Sequence, residues 1–127
     1  LRPEDLAVGT LTNQQAEFLH GLATAVVEGV VDLKGLRGKP LETLLANLCE
    51  CRGIGPLGAQ LTALTGYGRL ACFPTADPAL RRWIGRNVHA TDEVDGAAAE
   101  EWSSQWGDLR GLVALYIYAD LLKRGEI

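Results

Sequence analysis

The sequence predicts an all-α fold, a helical bundle over residues 1–127, and three observations predict it. Apolar residues recur at helical spacing along most of the chain, these stretches are bracketed by helix-starting and helix-stopping residues, and no alternating run is long enough for a convincing sheet. Thr12-Asn13-Gln14-Gln15 reads as a capping box, in which the threonine hydroxyl and the glutamine amide satisfy otherwise exposed N–H groups. Behind it, Phe18, Leu19, Leu22, Val26 and Val27 share one face, and Gly29 is suited to end the helix. Residues 30–39 form a connection. Pro40 opens a helix whose apolar stripe is Leu41, Leu44, Leu45 and Leu48. Arg52-Gly53-Ile54-Gly55-Pro56 is a tight break, after which a helix resumes with Leu57, Leu61 and Leu64. Residues 66–76 read as a loop. Asp77 and Pro78 are a helix cap and first helical residue, leading into Leu80, Trp83 and Ile84. A polar, alanine-rich helix is expected over residues 96–106. Asp108 is expected to cap the last helix, with Leu112, Val113, Tyr116 and Ile117 facing inward.

A chain of 127 residues fits one domain and can bury a core without disulfides or metals. Its 47% hydrophobic and 22% charged residues are a globular balance. No apolar run approaches the roughly 20 residues that span a membrane, and no secretion leader opens the chain. It begins at Leu1 and contains no methionine, as an excised or processed piece would. Three cysteines, Cys49, Cys51 and Cys72, are too few and too irregularly spaced for a disulfide framework, a zinc site or an iron–sulfur cluster, and read as small buried hydrophobes. The net charge of −4 argues against nucleic acid, but its distribution is uneven. Residues 52–86 carry Arg52, Arg69, Arg81, Arg82 and Arg86 against Asp77 alone, whereas residues 87–101 carry five acids and no lysine or arginine. A local basic patch can hold phosphates on an acidic protein, and ordinary clustering on a solvated surface explains the same pattern.

The break at Gly53-Ile54-Gly55 is chemically suggestive. Two glycines let the backbone turn sharply without a side chain in a ligand's way, and the N–H groups of the turn and of the next helix start then point outward together. The helix dipole adds partial positive charge, so a DNA phosphate fits there, and the carbonyls ending the preceding helix can share a monovalent cation with it. Such a contact positions a protein on DNA without reading sequence. A plain helix–turn–helix corner uses the same residues.

The text from Leu48 to Ala59, Leu-Cys-Glu-Cys-Arg-Gly-Ile-Gly-Pro-Leu-Gly-Ala, resembles the hairpin of the helix-hairpin-helix DNA glycosylase superfamily. The text from Cys72 to Arg82, Cys-Phe-Pro-Thr-Ala-Asp-Pro-Ala-Leu-Arg-Arg, resembles that family's loop carrying the catalytic aspartate, and the alkylated-base branch, 3-methyladenine DNA glycosylase II, is the nearest in pattern. Residues 11–29 resemble a helix that precedes the hairpin in the family, and Trp106-Gly107-Asp108-Leu109-Arg110 resembles the entry to its final helix. The resemblance implies that Gly53, Ile54 and Gly55 bind a DNA phosphate and that the backbone carbonyls of Cys49, Cys51 and Ile54 hold a sodium or potassium ion, with no other cofactor required. It implies that Asp77 is the catalytic carboxylate. It places Leu57, Leu61 and Leu109 in the pocket for the flipped base, and Arg81, Arg82 and Arg110 as phosphate contacts or ion-pair partners. The partner implied is double-stranded DNA in the cytoplasm, associated with the nucleoid.

Base excision passes through a sugar with developing positive charge, which a fixed carboxylate stabilises while it orients water. The alternative for Asp77 is an ordinary helix cap, and one residue can serve both purposes. Family members that cut the strand carry a lysine two residues after the second glycine; Leu57 stands there, which implies base release without strand cleavage. Three departures bear on function. The pocket positions hold leucines where aromatic rings are common, Gly107-Asp108 replaces the usual proline approach, and the family's members carry a long stretch before the point matched by Leu1. A lone half would present an incomplete cleft and exposed apolar surface, which a second copy or an upstream segment would cover. A non-catalytic helix-hairpin-helix DNA-binding module, or an inactive relative, is the competing reading.

Overall fold

The computed structural model describes residues 2–6 and 11–127; Leu1, on which the expectation of an excised chain rests in part, lies outside the described residues. The fold is all-α, with no strand among the described residues. No helix among them is long and apolar enough to cross a membrane. The chain gathers into two compact units, Leu1–Gly55 and Pro56–Ile127.

In the first unit a short helix, α1 (Pro3–Leu6), lies against α2 (Asn13–Val27). The capping box forms: the Gln15 N–H donates to Thr12 Oγ1 at 3.1 Å, and the Thr12 N–H donates to Gln15 Oε1 at 3.0 Å. Gly29, at φ 77°, turns the chain out of the helix. The expected stripe on α2 is only partly buried. Phe18 and Leu22 are half-buried, Leu19 and Val26 are exposed, and Val27 is 86% exposed, while small Ala16 is fully enclosed. The last turn carries its valines into solvent. A 3-10 turn at Gly35–Gly38 tucks in Leu36, and α3 (Leu41–Glu50) buries Leu44 and Leu48 as its periodicity requires.

The turn after α3 is closed by the Ile54 N–H donating to the Cys51 carbonyl at 3.1 Å. Gly53 has φ 89°, and a β-carbon there would stand 2.4 Å from Cγ of Phe18. The space left by this glycine is therefore filled by a phenyl ring of the same unit. Gly55 is open on its side-chain face.

In the second unit, α4 (Pro56–Leu61) widens into a π turn over Thr62–Gly66, where the Tyr67 N–H donates to the Thr62 carbonyl at 3.1 Å. A loop leads to α5 (Pro78–Ile84), followed by a second π turn, Gly85–His89, that ends at Ala90 in the left-handed region. Gly85 is required by a close approach, because a β-carbon would stand 2.8 Å from the backbone of Glu93. Next, α6 (Gly96–Ser103) is capped by Asp95, whose Oδ1 accepts from the Ala98 N–H at 2.8 Å. It stops short of the expected residue 106. Ser103 and Ser104 bond back to the carbonyls of Glu100 and Glu101, and the chain tightens into a 3-10 turn, Ser104–Leu109.

The last helix, α7 (Arg110–Lys123), differs from expectation in two ways. Asp108 does not cap it. Gly107, at φ 54° and ψ −129°, redirects the chain, Leu109 takes the cap position without a side-chain bond, and the Gly111 N–H is satisfied by the Leu70 carbonyl at 2.7 Å. The inward face is Gly111, Ala114, Ile117 and Leu121, whereas Leu112 is 42% and Tyr116 73% exposed. Its phase is set where Gly111 meets the 70–72 backbone. The core of this unit includes Leu64, Phe73, Leu80 and Ile84. Beside it, Trp102 sits edge-on to Phe73 (6.3 Å between centroids) and Trp106 (4.8 Å), and tilted to Trp83 (6.2 Å). Cys51 and Cys72 are buried as expected; Cys49 is exposed.

Gly53→Ala is expected to destabilise the protein by about 1–3 kcal/mol, because the new methyl meets both a positive φ and the Phe18 ring. Urea unfolding followed by far-UV circular dichroism measures this; an unchanged midpoint would contradict the packing described.

Candidate active site

The loop before α5 is a chain of tight turns. The Cys72 N–H donates to the Arg69 carbonyl at 3.0 Å, Thr75 N–H to Phe73 at 2.7 Å, and Asp77 N–H to Pro74 at 3.0 Å. Two flanking elements fasten it. From α4, the Gln60 side chain accepts from the Ala76 N–H at 3.0 Å and donates to Thr75 Oγ1 at 3.1 Å. From the start of α7, the Gly111 N–H reaches Leu70, and Arg110 Nε donates to the Ala71 carbonyl at 2.9 Å. The loop thus has several of its backbone groups bonded to neighbouring protein groups, which makes it a stiff mount.

Asp77 stands at the end of this mount as the N-cap of α5, with Pro78 beginning the helix. Its Oδ1 accepts from the Ala79 N–H at 2.8 Å. Its Oδ2 accepts from the Tyr118 hydroxyl at 2.5 Å. Tyr118 is half-buried on α7, and its pKa is pushed well above the ordinary tyrosine value, first by burial and then by the bond to Asp77 and that carboxylate's charge. The phenol therefore stays protonated and donating. Burial also raises the Cys72 thiol to about 11, keeping it neutral.

The other candidate residues are distributed as follows. Gly53, Ile54 and Gly55 close the first unit, and the Cys51 carbonyl in their turn already accepts from Ile54. Asp77 belongs to the second unit, as do Leu57 and Leu61, both half-buried, and Leu109, which is 58% exposed. Arg82 pairs with Glu93 at 3.7 Å. Arg110 is engaged by Ala71 and by Glu100, so its guanidinium is turned into the fold. Arg81 is half-buried, with its Nε enclosed and unbonded among the described residues. Sequence reasoning missed Gln60 and Tyr118. Gln60 lies between the leucines that were read as a stripe, and Tyr118 lies off the face assigned to α7. A signal was present for the latter, since Tyr118 follows Gly111 by seven residues, close to two helical turns.

No family model matches the chain, and no curated protein matches it in sequence. Two solved structures share its fold. One is MBOgg1, in complex with a low-affinity DNA ligand, with a TM-score of 0.82 and 22% identity over 98% of this chain. The other is a DNA-3-methyladenine glycosidase from Bacillus halodurans, with a TM-score of 0.70 and 22% identity over 93% of this chain. The chain spans 43% of the first and 58% of the second.

Folding raises the Tyr118 pKa above its ordinary value of 10, so the folded state holds that proton more tightly than the unfolded chain. This contribution to stability is complete below pH 10 and is lost as pH rises above it. Denaturant midpoints measured across the alkaline range should fall for the parent and fall less for Tyr118→Phe. Parallel curves would show that the phenol is not held as described.

Proposed function

We propose that the chain is the catalytic portion of a DNA base-excision glycosylase that hydrolyses the N-glycosidic bond of a damaged base, with Asp77 as its carboxylate. The observation that carries the reading is the rigid presentation of Asp77 at the start of α5, within a fold shared with two proteins described as a DNA-3-methyladenine glycosidase and as a protein bound to a DNA ligand.

The target nucleotide would first rotate out of the duplex, at a cost of about a few kcal/mol that is smaller at a damaged pair. As the bond to the base lengthens, positive charge grows on the sugar. Asp77, whose oxygens each retain a lone pair beyond the bonds they accept, supplies a preorganised negative charge and a site for the attacking water. An alkylated, cationic base leaves without strong acid assistance, which suits a site where Asp77 is the one catalytic carboxylate proposed. Leu57, Leu61 and Leu109 would receive the base by apolar contact. Leucine at 57 cannot form a Schiff base, so the strand stays intact.

In this reading the turn Gly53–Gly55 holds a backbone phosphate through the N–H groups of Gly53 and Gly55, the Ile54 N–H being engaged by the Cys51 carbonyl. The carbonyls of Cys49, Cys51 and Ile54 suit a sodium or potassium ion, since those at the end of α3 have no following helical turn to donate to them and Cys51 keeps a second lone pair. Such an ion would supply positive charge toward the phosphate.

The test is release of one alkylated purine from a duplex, with alkali to reveal abasic sites. The parent should release base without cutting the strand before alkali, and Asp77→Asn should lower the single-turnover rate by about 100-fold or more while still binding duplex. A parent that binds duplex yet releases nothing would make the chain a DNA-binding module.

A further inference from the structure

We propose that Tyr118 is the positioning residue of this site, its hydroxyl holding Oδ2 of Asp77 so that the carboxylate meets the sugar in one orientation. The inference rests on the glycosylase reading and deepens it.

The terminal torsion of an aspartate is broad, so a single donor leaves the carboxylate free to swivel. The Ala79 N–H holds Oδ1 from α5, and the Tyr118 hydroxyl holds Oδ2 from α7, a separate element. Two donors on two oxygens from two elements fix the plane of the group. The α7 donor is itself anchored. Gly111 is locked to the loop through Leu70, a β-carbon on it would stand 2.6 Å from the Cys72 carbonyl, and Tyr118 follows close to two turns later on the same side of the helix. Arg110 reinforces the lock at Ala71, and Gln60 holds the loop from the other flank. The hydroxyl and the backbone that carries Asp77 are thus tied to one frame.

The bond has two opposing effects. A neutral donor withdraws part of the carboxylate's charge, which weakens its pull on the cationic sugar. It also removes the rotational freedom that must otherwise be lost in the transition state, where a misplacement of about 1 Å can cost about 100-fold in rate. We assign the larger effect to orientation, the phenol donating its hydrogen bond without releasing the proton. Tyr118 is accordingly not an acid in the reaction; it acts through Asp77.

The experiment compares the parent, Tyr118→Phe and Tyr118→Leu in single-turnover base release and in duplex binding, with the phenolic proton followed by NMR. Tyr118→Phe keeps the ring and loses only the hydroxyl. It should fold normally and bind duplex as the parent does, and its release rate should fall about 10- to 100-fold. The hydrogen-bonded phenolic proton of the parent should be absent from Tyr118→Phe and from Asp77→Ala. Release by Tyr118→Phe at the parent rate, with Tyr118→Leu impaired, would reduce Tyr118 to a packing residue and overturn the inference while leaving the glycosylase reading intact. A rate loss matched by weaker duplex binding would also overturn it. A parent that releases no base overturns the glycosylase reading and the role in catalysis together, and the proton resonance then reports separately whether the contact itself exists.

Discussion

At Gly111 the backbone of the last helix comes so near the carbonyls of Leu70 and Cys72 that no β-carbon can stand between them. The second unit depends on this approach. It replaces the missing side-chain cap of α7, because the Gly111 N–H is satisfied by Leu70. It sets the rotation of α7, which places Ala114, Ile117 and Leu121 inward. The same rotation brings Tyr118 to Asp77. A glycine chosen for closeness therefore governs the fit of a helix and the environment of a carboxylate distant in sequence.

The elements legible in the sequence were those decided locally. The Thr12–Gln15 capping box, the Asp77–Pro78 helix start, the Gly29 stop and the tight turn at Gly53 each rest on residues within a few positions of one another, and each is present. The Leu44 and Leu48 side of α3 was legible because periodicity and burial agree there. The phase of α7 was legible only in part, Ile117 being buried as expected and Val113 half-buried. Bulky Leu112 and Tyr116 suggested one face, while the contact is made by small residues that hydropathy does not favour. Burial follows the approach of backbones, and Gly111 and Ala114 permit an approach that leucine would block. Gln60 and Arg110 illustrate the same limit. Each reads as an ordinary polar residue until the loop it fastens is folded against it.

The carboxylate at position 77 caps α5, and physical chemistry makes that task compatible with the role proposed for it. A helix cap needs an acceptor held at one angle to the first turn, and stabilising a cationic sugar needs an anion that does not reorient as charge develops. The arrangement found here, one oxygen on the helix and the other on a tyrosine, meets both needs.

The cluster around Trp102 gives the molecule an optical asymmetry. All three tryptophans, Trp83, Trp102 and Trp106, lie in Pro56–Ile127, the Trp102 ring centroid 6.2 Å from that of Trp83 and 4.8 Å from that of Trp106, and Leu1–Gly55 has none. Intrinsic fluorescence therefore watches one unit alone, whereas far-UV dichroism sees the helices of both. The two signals, followed together through a melt, separate a chain that unfolds as a whole from one whose parts let go in turn. The protein thus carries its own reporter of cooperativity, with no added label.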